Sequence, residues 1–568
     1  MFKENHRHEQ GNFFDTVGQL PKGVKKMMDK SWAPRFRDLV FTKIDERRYT
    51  ELYSDVESRP NFPVNIWVGL EVIKAMFDYT DAELLEQFHF NLLTAFALGL
   101  ENLGEVTLAE RTLYYNRKRL LDYEARTGRN LLEEEFQALT EGALGALGIT
   151  TKTQRMDSSF VGSFIKQMSR LELVVKVLQN FYRDLDEEER ARWNPQVKEY
   201  VETEAKHIAY HMKSAEVGEY VQKVGALLCE LHHAYADNEQ INTLKSYEHI
   251  GRILLEQFDI VDRGQGTQVE VKPSAEISAR SLQNPADDTA TFRRKDGRSY
   301  KGDTLNVAET CAPENKVQLV TDVWVEQNTT SDEDFLAERV RGIKERTGVE
   351  EIIADAGYTG DHAEQVCQNE NVAIIPTEVK GRKEQADKLS LKDFHFDGTS
   401  IVYCPEGYPP IEQIHKPDSG RHVVRFAVGT CSVCPQRDKC PVNCRKKFSS
   451  LLFTDRQALL ARRRQQLNEE EYLSKCRLRP AIEGTISQFK QRMRNGKMRI
   501  RGLARIRNSI ILMAIGINFG RFWAYLLETS PRAVIFLSVV VIRMFILALI
   551  AIQQPMKPKY RYLQALSA

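Results

Sequence analysis

Between Val317 and Pro376, short β-branched runs alternate with amphipathic helix, and this alternation restricts the fold more than any other feature of the chain. Val317–Val325 reads as a strand. Leu336, Val340 and Ile343 then fall at i, i+4 and i+7 of a helix over 332–346, and Gly348 supplies its stop. The apolar run 351–354 reads as a strand ending at Asp355, followed by a helix over 360–369 and a strand over 372–376. Strand–helix–strand–helix–strand order predicts an α/β sheet with parallel pairs and crossover helices. Upstream, β-branched runs predict further strands at 268–272 and 299–308, and a Thr/Ser-rich one at 149–161 that carries Asp157.

Around this core the chain changes texture. Residues 1–60 are polar and mixed. Residues 61–145 read as a helical domain in which Thr80 with Glu83, and Thr107 with Glu110, form capping boxes that start helices over 81–97 and 108–124. The second helix carries Arg111, Arg117, Lys118 and Arg119, so the pair is either a DNA-docking unit or a plain packing domain. Residues 163–262 read as a helical insertion, leaving 146–162 and 263–380 as the core. Residues 381–450 read as an irregular, cysteine-rich insertion; 451–530 is the region of the catalytic Glu helix and a basic helical segment, with helix resuming from about 455 and continuing past 520. In the C-terminal tail, 531–568, the stretch 533–552 has Arg543 as its one charge. It is long enough to span a membrane, but a central Arg costs a few kcal/mol there. A buried helix, an oligomer contact or a non-native terminus are the other readings, and a membrane partner is not expected. The start, MFKENHRHEQGNFF, has no apolar h-region, which predicts a cytoplasmic protein without a secretory signal.

Composition matters mainly through its distribution. With 42% hydrophobic and 28% charged residues, a disordered chain, a collagen-like fibre and a disulfide scaffold are excluded. The net charge of +1, taken alone, argues against a polyanionic partner. Yet residues 475–507 hold eleven Lys/Arg and one acid, Glu483, giving +10 there and −9 elsewhere. That lone acid is either a salt-bridge partner or a metal ligand. Asp157 in one strand, Asp355 at the end of another and Glu483 in a helix opened by Pro480 can supply oxygen ligands to two Mg²⁺ ions. Such a pair activates a nucleophile and stabilises the leaving oxygen in phosphoryl transfer. Arg479, Glu483 and Lys490 stand at i, i+4 and i+11 of one helix face, and Arg494 and Lys497 extend the stripe.

These segments resemble the DDE transposases of bacterial insertion sequences, which have a ribonuclease H-like core. Arg479-Pro-Ala-Ile-Glu483 followed by Gly-Thr-Ile-Ser-Gln-Phe-Lys490 is similar to the signature Tyr-x2-Arg-x3-Glu-x6-Lys; Cys476 stands at the Tyr position, with Tyr472 one turn earlier. Arg-Met-Asp157-Ser-Ser resembles the first-Asp motif and Ile-Ala-Asp355-Ala-Gly-Tyr358 the second, with Asn328 and Asp332 ahead of it. The resemblance implies Mg²⁺-dependent (or Mn²⁺-dependent) cutting at transposon ends and joining of the freed 3′-hydroxyl to target DNA, in a homodimer or larger assembly. It implies Asp157, Asp355 and Glu483 as metal ligands and Arg479 and Lys490 as phosphate contacts. Arg494, Lys497, Arg117 and Lys118 are further DNA-binding candidates. The alternative is a catalytically silent, transposase-derived DNA-binding protein.

The cysteines form a separate pattern. Cys431-x2-Cys434-x5-Cys440-x3-Cys444, with Cys404 as an alternative fourth ligand, has the spacing of a zinc knuckle. Four thiolates leave no open coordination position, so such a Zn²⁺ is structural. The other reading is a loop of reduced thiols.

Overall fold

The protein is described by a computed structural model covering residues 1–10, 15–57, 59–262, 267–295, 297–379, 385 and 387–529. The apolar stretch 533–552 lies outside these residues.

In the N-terminal part, α1 (Val64–Phe77) is mostly apolar and buried from Val64 to Ile73, with Trp67 and Leu70 inaccessible. The Thr80–Glu83 capping box forms and opens α2 (Asp81–Phe90). The expected helix over 81–97 is two helices, because Asn91 adopts an extended conformation and its side chain caps Leu92–Ala97. The second expected box does not form. Leu108 is buried, its carbonyl faces the His89 ring at 3.1 Å, and α3 (Glu110–Thr127) begins at Glu110 without a side-chain cap. α4 (Leu131–Leu147) follows.

The central sheet has six strands: β1 (Thr153–Gly162), β2 (Thr291–Lys295), β3 (Arg298–Thr310), β4 (Val320–Gln327), β5 (Glu351–Ala354) and β6 (Ala373–Pro376). One edge of β3 pairs antiparallel with β1; the other pairs with β2 and then β4. On its far side β1 pairs parallel with β5, and β5 with β6. The crossovers are α5 (Asp332–Thr347), capped by Ser331 and stopped by Gly348 at φ 66°, and α6 (Asp361–Asn369). Both cover one face, where Met156 and Ala308 meet Leu336, Val340 and Ile343. The opposite face, through Val161, Leu305 and Val307, joins the core of the N-terminal helices.

The insertion has its own core of Val174, Leu178, Phe181, Val224, Leu228 and Ile250. The strand expected at 268–272 is Thr267–Val271. It pairs with Phe258–Asp262 in a hairpin rather than joining the central sheet, because Phe258 and Val269 pack into the insertion's core.

Two expectations for the C-terminal half need correction. Among the described residues of 381–450 the chain is not irregular throughout. Glu412–Lys416, Arg421–Phe426, Ser449–Thr454 and Asn443–Cys444 form an antiparallel sheet over a small core of Phe394, Ile401, Val424, Phe426 and Phe453. Nor is the helix from 455 continuous. Asp455–Gln466, Glu470–Cys476 and a 3₁₀ turn at Arg479–Ala481 precede α7 (Ile482–Gln491). Pro480 therefore opens the 3₁₀ turn rather than the α-helix. After α7 the chain reverses at Asn495 (φ 53°) and Gly496 (φ 72°), consecutive left-handed residues of the kind a tight hairpin turn requires.

The last described helix, α8 (Leu503–Thr529), is the one helix among the described residues long and apolar enough to cross a membrane. Its apolar residues pack into the protein. Ile510, Ile511 and Ala514 are inaccessible, and Asn518 accepts from the Val320 amide and donates to the Val320 carbonyl, both at 2.8 Å. Gly516 is needed for close approach, since a Cβ there would lie 2.5 Å from Cγ of Met76 on α1.

Candidate active site

The sheet register brings the two aspartates together. Thr153, Gln154 and Arg155 of β1 lie beside Glu351, Ile352 and Ile353 of β5. Carrying the same offset two residues further sets Asp157 level with Asp355. Asp157 is buried, and its Oδ1 accepts from the Ser158 amide at 2.9 Å. Asp355 follows the last residue of β5, and its Oδ1 accepts from the Gly357 amide at 2.6 Å, which tightens the turn Ala356–Tyr358. Glu483, in the first turn of α7, is 63% exposed.

Arg479 lies among all three. Its Nη2 is 2.8 Å from Asp157 Oδ2 and 3.8 Å from Asp355 Oδ2, and its Nη1 is 3.7 Å from Glu483 Oε1. Arg479, expected as a phosphate contact, turns its guanidinium toward the carboxylates. The physical reason is charge compensation: a buried carboxylate without a cation is costly. Burial still raises Asp157 to about 6, with Arg479 pulling the other way. Three ionisable acids arranged around one cation form a donor set suited to hard divalent ions.

A fourth carboxylate adjoins the site. Ser158 Oγ donates to Asp332 Oδ1 at 2.6 Å, and a Cβ on Gly357 would fall 2.6 Å from Asp355 Oδ1 and 2.7 Å from Asp332 Oδ2. A side chain at position 357 would therefore displace these two carboxylates. Tyr358 is buried and accepts from Asn306 Nδ2 at 2.7 Å, so its hydroxyl is structural. Tyr472 Oη donates to the Pro376 carbonyl at 3.0 Å, and Cys476 Sγ lies 4.0 Å from the same oxygen; both hold their helix against the end of β6.

Arg479 and Glu483 are positioned by a buried ionic network that local sequence gives no sign of. Fully buried Glu309 on β3 pairs with Arg155 on β1 at 2.6 Å and with Arg521 on α8 at 2.8 Å. Thr485 of α7 donates to Glu309 at 2.6 Å, and Arg155 donates to the Leu478 carbonyl at 2.7 Å. The turn bearing Arg479 and the helix bearing Glu483 are therefore both anchored to the sheet.

The basic candidates divide. Lys490 and Arg494 are exposed, and neither they nor Lys497 has an ion-pair partner among the described residues. The continuous stripe is corrected, however. Arg494 and Lys497 flank the reversal after α7 and exchange backbone hydrogen bonds of 2.9 and 3.1 Å. Gly162, the last residue of β1, donates its amide to the Gly496 carbonyl at 2.9 Å and so holds this turn. Arg117 pairs with Glu71 at 2.8 Å and Asp81 at 2.7 Å, and Lys118 pairs with Asp122 on the surface.

All five clustered cysteines, Cys404, Cys431, Cys434, Cys440 and Cys444, line one cavity. Burial raises the Cys431 and Cys440 thiols. Among the described residues, no three of their sulfurs lie within 4.8 Å of one another.

The chain is thus of a mixed α/β class with acids gathered at neighbouring strands and a helix start. Residues 403–523 match the transposase DDE domain, which supports an insertion-sequence DDE transposase. The matched span contains Arg479, Glu483 and the five cysteines; Asp157 and Asp355 lie before it. No curated protein and no solved structure matches the chain.

Proposed function

We propose that the chain is a DNA transposase with a ribonuclease H-like core that cuts insertion-sequence ends and joins them to target DNA. The observation that carries this reading is the convergence of Asp157, Asp355 and Glu483, from three distant segments, on Arg479. The sheet order, antiparallel β4, β3 and β1 followed by β5 and β6 parallel to β1, with β2 pairing the start of β3, supports the core assignment. In this reading residues 61–145 are the DNA-binding domain, 163–262 the helical insertion and 381–450 the cysteine-rich insertion.

Asp157, Asp355 and Glu483 would hold Mg²⁺ or Mn²⁺. When bound, a pair of such ions activates a nucleophilic oxygen and stabilises the leaving one. Arg479 keeps Asp157 ionised and fixes its side chain. The Asp355 side chain is oriented by the Gly357 amide, and the Glu309 network sets the distance between sheet and α7. Lys490, Arg494 and Lys497, which have no acidic partner among the described residues, receive the phosphate backbone. Cys431, Cys434, Cys440 and Cys444, or Cys404 in place of one, line one cavity and would have to draw together to hold a structural Zn²⁺. Two ends must be cut and joined together, so the working form is a homodimer or larger assembly, acting in the cytoplasm.

The test is a supercoiled plasmid carrying the DNA that flanks the gene. Mg²⁺-dependent nicking at the end sequences, abolished by chelator, is expected. End binding without nicking in Mg²⁺ or Mn²⁺ would instead establish the silent DNA-binding protein.

A further inference from the structure

A second group of metal-capable side chains lies outside both the carboxylate site and the cysteine cavity. His415 and His422 stand directly opposite each other on the antiparallel strands Glu412–Lys416 and Arg421–Phe426. Their rings stack at 4.3 Å with 15° between planes. Both present Nε2 to Asp455, His422 at 2.6 Å from Oδ1 and His415 at 3.3 Å from Oδ2. The three donor atoms lie within 4.8 Å of one another, and no other trio of His, Cys, Asp or Glu among the described residues does so.

Two features show that the cluster is built into the fold. His422 is buried, and its ring stacks on Phe453 at 4.8 Å, which fixes its direction. Gly420, at φ 55°, lets Asp455 approach: a Cβ there would lie 2.8 Å from Asp455 Oδ2, while the Asp455 amide donates to the Gly420 carbonyl at 2.9 Å. Here two stacked rings share one carboxylate, so two imidazole nitrogens and a carboxylate converge on one point. That is the donor set of a nitrogen- and oxygen-ligated metal site.

We propose that His415, His422 and Asp455 form a site for a divalent transition metal of Zn²⁺ type. Zinc bonds to imidazole and carboxylate of about 2.0–2.1 Å put tetrahedral donor atoms about 3.3 Å apart, a spacing the trio already approaches. Nitrogen donors select Zn²⁺-class ions over Mg²⁺, which takes oxygen ligands. His415 and Asp455 are about half exposed, so the fourth position faces solvent. The metal would join the cysteine-rich sheet to the helix Asp455–Gln466. That helix reaches α6 through Arg456 with Asp361 and through Arg463 with Glu364 at 2.7 Å, so the site braces the part of the core that follows Asp355.

The test uses the full chain, purified without a polyhistidine tag, stripped by chelator and reloaded with Zn²⁺ or Co²⁺. Wild type is compared with His415→Ala and Asp455→Asn, both at partly exposed positions. Each variant is expected to bind about one equivalent less Zn²⁺ than wild type and to lose the Zn²⁺-dependent rise in melting temperature contributed by this site. The thiolate-to-cobalt absorption of any metal at the cysteines should be unchanged. Equal zinc stoichiometry and equal zinc-dependent stabilisation in all three proteins would overturn the proposal, as would cobalt spectra in which every bound ion has thiolate ligands.

Discussion

Arg479 Nη2 lies 2.8 Å from Asp157 Oδ2 while its Nη1 lies 3.7 Å from Glu483 Oε1, so one guanidinium pairs the helical acid with the buried strand acid. Replacing Arg479 by Ala leaves Asp157 buried without a cation. The metal-free variant should lose about 3 kcal/mol of stability. Added Mg²⁺ should restore part of that loss, because it supplies the missing charge. Denaturant melts with and without Mg²⁺ measure both effects; a Mg²⁺-independent loss would mean that Arg479 serves packing alone.

Glu309 is the hub between β1, β3, α7 and α8. Glu309→Gln removes the charge that compensates both Arg155 and Arg521. The expected cost is about 3–5 kcal/mol, the range for breaking a buried pair. A shift of less than about 1 kcal/mol in the same melts would show that the network is not needed to hold α7 on the sheet.

Asp303 gives the fold a distinct pH dependence. It is buried, neither carboxylate oxygen has a hydrogen-bond partner, and burial with Asp287 and Glu326 nearby raises it to about 8. The unfolded carboxyl titrates near about 4. Between these values the folded state holds a proton that the unfolded state has lost, so stability falls as pH rises from about 4 to about 8. Asp303→Asn should flatten that slope and make the variant relatively more stable at pH 8 and above. Parallel pH–stability curves for the two proteins would contradict the assignment.

Lys490 and Arg117 are both cations on helices, yet they should respond differently in DNA-binding titrations. Lys490→Ala should weaken end binding and reduce the salt slope by about 0.9 for each phosphate that the lysine neutralises. Arg117→Ala should leave the slope unchanged and lower the melting temperature, because its partners Glu71 and Asp81 are intramolecular. A reduced slope in the Arg117 variant would return that residue to the DNA surface.

The sequence is most readable where one local rule decides the outcome. The helix from Asp332 to Thr347 shows its period and its Gly348 stop within one window, and Asp355 follows at the end of a short apolar run. The sheet at 412–454 is hidden, although His422, Val424 and Phe426 alternate inward, because its polar and basic outward residues read as loop. Asn91 breaks a helix that apolar periodicity carries straight through, since a side-chain cap outweighs period at one position. Arg479 reads as a surface cation because helical spacing cannot show which way a guanidinium turns once a buried carboxylate stands beside it. The Arg155–Glu309–Arg521 network depends on residues brought together only by the folded sheet, so no spacing in the chain announces it.

The central claim is that Asp157, Asp355 and Glu483 act as one metal-dependent site. The most direct measurement is Mg²⁺-dependent cleavage of end-bearing plasmid by Asp157→Asn, Asp355→Asn, Glu483→Gln and the Asp355/Glu483 double variant, with end binding followed in parallel. Each single variant should bind ends as wild type does and lose cleavage as completely as the double variant. Wild-type cleavage by any one of the three single variants would contradict the account.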